Sequence, residues 1–194
     1  MGDKEKRHHD KNISDNRVSI TVVRVGSAAG TPGPVVFIAQ GVKVNPMLSQ
    51  QNLVERYGLP EGSIVICNKN SYMDDVTWKK VVKFLCFGIR RMPVICLYPL
   101  WNVGCSLDGF KSHVNVTSAL EEFASNKIRI VKEEAATSHI NQAYDQLQAK
   151  EDKKVTRALL DMARSHIKGK IDQWTLIGIL CVALKYISND VWVK

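Results

Sequence analysis

The stretch WNVGCSLDGFKSHVN, residues 101–115, decides how this chain is read. Its segment 103–107 has the length and content of a short strand and stops at Asp108, after which come Gly109 and a polar loop holding Ser112 and His113. Working outward, a second stretch, TSHINQAYDQLQAKEDK at residues 137–153, sets Asp145 inside a predicted helix. A carboxylate at a strand end and another on a later helix is a common way to build a metal-dependent phosphoryl-transfer site, because Mg²⁺ and Mn²⁺ take hard oxygen ligands. Each aspartate also has a plainer reading. Asp-Gly after a strand is an ordinary turn signal. Asp145 shares a polar helix stripe with Asn141, Gln148 and Asp152, which is how a solvated face looks. Function therefore turns on whether Asp108 and Asp145 meet.

Upstream, residues 18–25 are rich in β-branched side chains and read as a strand ending in the turn Gly26-Ser27-Ala28-Ala29-Gly30. Thr31-Pro32-Gly33-Pro34 prolongs that turn, and residues 35–39 form a second strand, its antiparallel neighbour. The glycines here are no phosphate-binding loop, since no GK[ST] follows and no helix starts. Residues 42–62 read as irregular with a short helix near 50–57, and residues 63–67 as a strand. Asp74 or Asp75 caps a helix with Trp78, Val81, Val82 and Leu85 as its apolar stripe, which Gly88 and then Pro93 end. Residues 94–97 and 102–107 are strand-like. Residues 118–124 predict a helix with Leu120, Phe123 and Ala124 inward, and residues 128–131 a strand. Helices follow at 140–149, at 155–167 with Val155, Ala158, Leu159, Met162 and Ala163 on one face, and at 173–187, apolar almost all round. This order predicts an α/β fold, a mixed sheet flanked by helices.

A chain of 194 residues suits one domain with room for an appended subdomain. Its net charge of +8 favours a polyanionic partner, although charge says nothing of fold. Cys67, Cys86, Cys96, Cys105 and Cys181 contain no CxxC pair and sit mostly among apolar neighbours, so they read as small core residues in a reducing compartment and suggest no zinc site. Residues 1–16 are charged and polar, a solvated tail or loop. They lack the apolar centre of a secretory signal, and the adjacent His8 and His9 read as surface. The longest apolar run, 176–184, is too short to span a bilayer, so no membrane partner is expected.

The residues resemble the DDE transposases of the pogo, Tigger and Jerky group, to which centromere protein B is also related. The resemblance rests on Ile20-Thr21-Val22 leading to Ala28-Ala29-Gly30, on Gly33-Pro34-Val35-Val36-Phe37-Ile38, on Leu107-Asp108-Gly109 with Ser112-His113, and on Thr137-Ser138-His139 with Gln142 and Asp145. It covers residues 17–150. Thirty-six residues separate Asp108 from Asp145, a spacing similar to that of mariner-like and pogo-like enzymes. Ala143 and Tyr144 stand where the pogo pattern has proline and leucine. The first acidic residue of the family has no counterpart: Asp3, Asp10 and Asp15 follow no apolar run. The upstream helix-turn-helix region of the family is not evident either.

The resemblance implies a ribonuclease-H-like mixed sheet with its first strand missing, over 17–150, then a helical C-terminal segment at 151–194 after the charged tail at 1–16. It implies metal-dependent cleavage or strand transfer on DNA in the nucleus, with Asp108 and Asp145 as catalytic and Mg²⁺- or Mn²⁺-binding residues. His113, His139 and Lys153 are expected to touch nucleic acid. A homodimer stays open. With one acidic residue missing, the two-metal arrangement is incomplete and weak or absent catalysis is expected of this chain alone. Two alternatives stand beside the endonuclease: a non-catalytic DNA-binding or interaction module derived from a transposase, and an inert fragment left with an exposed sheet edge.

Overall fold

The computed structural model describes residues 18–27, 31–96, 103–107, 116–132 and 149–186. In chain order these form β1 (Thr21–Gly26), β2 (Pro32–Gln40), a 3₁₀ turn (Pro46–Leu48), α1 (Gln50–Glu55), β3 (Ile64–Asn68) and α2 (Asp75–Arg91). There follow α3 (Pro93–Cys96), β4 (Val103–Leu107), α4 (Thr117–Ser125), β5 (Ile128–Lys132), α5 (Ala149–His166) and α6 (Gln173–Tyr186).

β2 is the hub. It pairs antiparallel with β1, Val23 opposite Val36, and parallel with β3, Phe37 opposite Val65. A strand paired on both edges and covered on both faces needs a continuous apolar run, and residues 35–39 supply one. Its side chains alternate between two cores. Val36 and Ile38 join Ile66 under Trp78, Val81, Val82 and Leu85 of α2, and this core continues through Phe123 of α4 and Ile128 of β5. Val35, Phe37 and Ala39 face the other way, against Leu53 of α1 and Ile177 and Cys181 of α6. The result is a mixed α/β architecture with helices on both faces of the three-stranded sheet. β4 and β5 form a second, parallel two-stranded sheet, with Val103, Cys105 and Ile130 packed against the α2 core.

The β1–β2 pair, the strand at 64–68, the cap by Asp74 and the apolar C-terminal helix follow the sequence reading. Several details do not. Pro32, Gly33 and Pro34 belong to β2 rather than to a turn. Proline is tolerated there because the pairing with β3 begins only at Val36. A Cβ on Gly33 would lie 2.9 Å from the Val25 side chain, so the strands cross closely.

Gly88 does not end α2. The helix runs on to Arg91, and Gly88 is buried where α2 crosses Pro34 and the Glu61–Gly62 turn. Residues 93–96 are helical, not extended: Pro93 pushes Met92 out of the helical region and itself suits a first helical turn. On α4 the buried pair is Ala119 and Phe123, while Ala124 is exposed. On α5, Ala158 and Met162 are exposed, and the half-buried face is Asp152, Val155, Thr156, Leu159, Leu160 and Ala163. The expected strand start at 102 and helix start at 140 fall outside the described residues.

Candidate functional site

Parallel β4 and β5 end in register, Leu107 opposite Lys132. β4 forms here because Val103 and Cys105 alternate onto the shared core, and the amide of Val103 donates to the Lys127 carbonyl at 3.0 Å to lock its start beside β5. The chain passes from these paired ends into residues 108–115 and 133–148, which hold Asp108 and His113, and His139 and Asp145. Those four lie outside the described residues, and so does the question of whether they converge. Lys153, the remaining expected site residue, is exposed on α5. Among the described residues no three His, Cys, Asp or Glu side chains group as metal ligands.

The other pair of parallel strands, β2 and β3, also ends in register, Gln40 opposite Asn68, but this end is filled. The Gln173 side-chain amide donates to the Gln40 carbonyl at 2.8 Å and accepts from its amide at 3.2 Å. Asn68 donates to the Tyr72 carbonyl at 2.6 Å and to the Thr77 hydroxyl at 3.0 Å. Asp74 accepts the Thr77 amide at 2.7 Å, and that bond holds its carboxyl below the usual range. Ser71 sits buried in the left-handed region at φ 56°, its carbonyl taking the Thr21 hydroxyl at 2.7 Å. These polar groups satisfy one another and build a turn.

The thiols are inert by environment. Burial pushes Cys86, which also faces Glu122, and Cys181 up to about 12 and Cys105 up to about 11, so none is a nucleophile at neutral pH.

The cations divide into two kinds. Arg24 on β1 is almost fully buried and pairs with Asp152 of α5, tying the helix across the sheet. Arg90 donates to the Asn126 carbonyl and joins α2 to the end of α4. Both are structural ties. Lys79, Lys80, Lys83 and Arg91 on α2, and Lys150, Lys153, Lys154, Arg157 and Arg164 on α5, are exposed. α2 and α5 lie on opposite faces of the three-stranded sheet, so the chain presents two basic surfaces. Arg90 sits beside exposed Arg91 in sequence, and a contact 36 positions away sets it apart.

Two recesses lie on the surface of the described residues. One, about 470 Å³, lies between Met47, Leu48 and Tyr57 and the α6 residues Trp174, Gly178 and Ile179, with Leu159 and Asp172 at its rim. It is apolar, and its one carboxylate already caps α6 through the Thr175 amide at 2.7 Å. The other, about 450 Å³, lies between the first turns of α2 and α4 and is lined by Asp75, Lys79, Thr117, Ser118 and Glu121. α4 has Val116 at its N-cap and no side-chain cap bond, and its first turn lines this polar recess. Nothing in the sequence pairs Asp75 with Glu121, and periodicity leaves this recess unseen.

No known family model, no curated protein and no solved structure matches the chain. Among the described residues no helix is long and apolar enough to cross a membrane.

Proposed function

We propose that this chain is a transposase-derived DDE endonuclease domain with a ribonuclease-H-like core, acting in the nucleus on DNA phosphodiesters through Mg²⁺ or Mn²⁺ held by Asp108 and Asp145. The observation that carries the reading is the parallel β4–β5 pair ending in register at Leu107 and Lys132, one residue before Asp108. In α/β sheets, ligands gather at the carboxyl ends of parallel strands, and the other such end among the described residues is plugged. Two carboxylates suit a hard divalent cation, which would neutralise charge building on a phosphodiester. The residues of this chain would hold that ion and orient the backbone; His113 and His139 would contact phosphate.

A second feature supports the ribonuclease-H-like finer reading. Among the described residues β1 and β3 each pair only with β2, and β4 only with β5, and side chains of both sheets pack into the α2 core. A further strand between them, where the resemblance puts its first acidic residue, would join the two sheets into one.

Titration calorimetry with Mn²⁺ tests the reading on the parent chain and on Asp108→Ala and Asp145→Ala. Binding that either substitution abolishes is the expected result. Binding that is absent, or indifferent to both, removes the metal site. The basic faces of α2 and α5 then favour the second reading, a non-catalytic nucleic-acid-binding module derived from a transposase.

A further inference from the structure

The outward face of α2 is unusual in what it leaves in water. Trp78, Val81, Val82, Leu85 and Ile89 are buried, and directly opposite them on the helix stand Val76, Lys80, Lys83, Phe87 and Arg91. Their spacing of four, three, four and four residues keeps all five on one line. Phe87 is 42 % exposed and Val76 66 %. No core requirement explains a phenyl ring there, since the buried stripe is already complete. The Arg91 guanidinium lies 4.0 Å from the centre of the Phe87 ring, and it also reaches Glu61 at 3.2 Å, with both partners about half exposed. The flat guanidinium and the ring together form one composite platform.

The charge on this line is graded. Asp74 and Asp75 occupy the first turn, and Glu121 lines the recess beside Lys79. Beyond Lys79 every charged side chain on α2 is cationic. From Lys80 to Arg91 the helix rises ~17 Å, the length of several phosphates.

We propose that this line, Lys80, Lys83, Phe87 and Arg91, binds single-stranded nucleic acid, the lysines taking phosphates and the Phe87–Arg91 platform taking an unstacked base. A duplex would engage the cations and leave the ring idle, because its bases are already stacked. An acidic peptide would meet the charge without needing a flat aromatic face. Cations interleaved with an exposed aromatic are the combination that single strands use. The proposal goes beyond the metal site and does not depend on Asp108 or Asp145.

The test is fluorescence anisotropy of the full chain with a labelled oligothymidine of about 16 nucleotides, in EDTA and across a salt series. Two lysine–phosphate contacts give a slope of about −1.4 in log affinity against log salt, and Lys80→Ala with Lys83→Ala removes most of it. Phe87→Leu keeps an apolar side chain and every charge, and is expected to weaken binding by about 5- to 100-fold. Both variants change exposed positions, and an unchanged thermal melt verifies their folding. Binding that persists in EDTA, where no divalent ion is free, separates this surface from the metal site. The proposal is overturned if Phe87→Leu binds as tightly as the parent. It is overturned equally if the matching duplex binds more tightly with no dependence on Phe87, or if polyglutamate competes as well as the oligonucleotide does.

Discussion

Gly88→Ala and Gly178→Ala are the same chemical change in two helix interiors, and the structure gives them opposite signs. In each, replacing glycine removes the excess backbone freedom of the unfolded chain, a gain of about 0.8–1 kcal/mol in a helix. At Gly178 on α6 the new Cβ would meet only the Tyr57 hydroxyl, at 3.5 Å, an ordinary contact. At Gly88 on α2 it would lie 2.6 Å from the Glu61 carbonyl oxygen and 2.7 Å from the Pro34 ring, where ordinary contact begins at 3.4 Å. Neither neighbour is the free end of a flexible side chain. Proline is rigid, and the Glu61 carbonyl belongs to a turn whose Gly62 lies equally close to Gly88. Relief requires α2 to move off the sheet, which loosens Trp78, Val82 and Leu85 together. Overpacking of this kind costs about 1–3 kcal/mol and, with a backbone neighbour, belongs at or beyond the upper end. Net of the propensity gain, Gly88→Ala is expected to destabilise by about 2 kcal/mol and Gly178→Ala to stabilise by about 0.5–1 kcal/mol. Thermal melts would then move by about 4–8 °C down and 1–4 °C up, at 2–4 °C per kcal/mol for a chain of this size. A Gly88→Ala melt equal to or above the parent would refute the close crossing of α2 over Pro34, and with it the assignment of Gly88 to helix packing.

Two further outcomes follow from the hydrogen-bond and ion-pair geometry. Asp74→Ala removes the α2 cap and is expected to lose about 1 kcal/mol in urea titrations at pH 7. Its folded carboxyl is held below the ordinary value of 3.8, chiefly by the Thr77 amide, so its contribution is present above that value and fades as pH falls through the folded one. The parent and the variant should therefore converge in stability below about pH 4; a constant gap from pH 7 to pH 3 would contradict the cap. Asp152→Asn removes one charged partner from the buried Arg24 guanidinium and is expected to lose about 1.5–3 kcal/mol. A loss near zero would mean that the α5–β1 tie bears little of the fold's stability.

The sequence was most legible where local rules and burial agree. Residues 35–39 are apolar without alternation, and the strand is buried on both faces. Asp74 precedes a clean apolar stripe, and the helix begins where it should. Legibility fails wherever a partner distant in sequence decides. Glycine at 88 reads as a stop signal, yet its reason is a turn 26 positions earlier. On α5, apolarity alone put Ala158 and Met162 inward. The helix keeps Val155, Leu159 and Ala163 toward the body but adds Asp152 in place of those two, as the Arg24–Asp152 pair and the packing against α6 require.

For the candidate site, the order of strands carried more than any motif did. Asp-Gly at 108 has many innocent uses, and neither the spacing to Asp145 nor the histidines beside them fix a geometry. The opposite side of the core shows how such a strand end can be satisfied. A parallel strand pair offers unpaired carbonyls and a helix N-terminus at its carboxyl end, and those groups must be satisfied by protein, water or ligand. At β2–β3 the protein does so through Gln173, Asn68, Thr77 and Asp74. At β4–β5 the neighbouring helix α4 has no side-chain cap, and the adjoining recess is polar. One end is closed by its own side chains, and the other runs into residues 108–115 and 133–148, outside the described residues. A metal titration that fails in the parent as well as in both aspartate variants would remove the metal site and leave the closure of the β2–β3 end untouched.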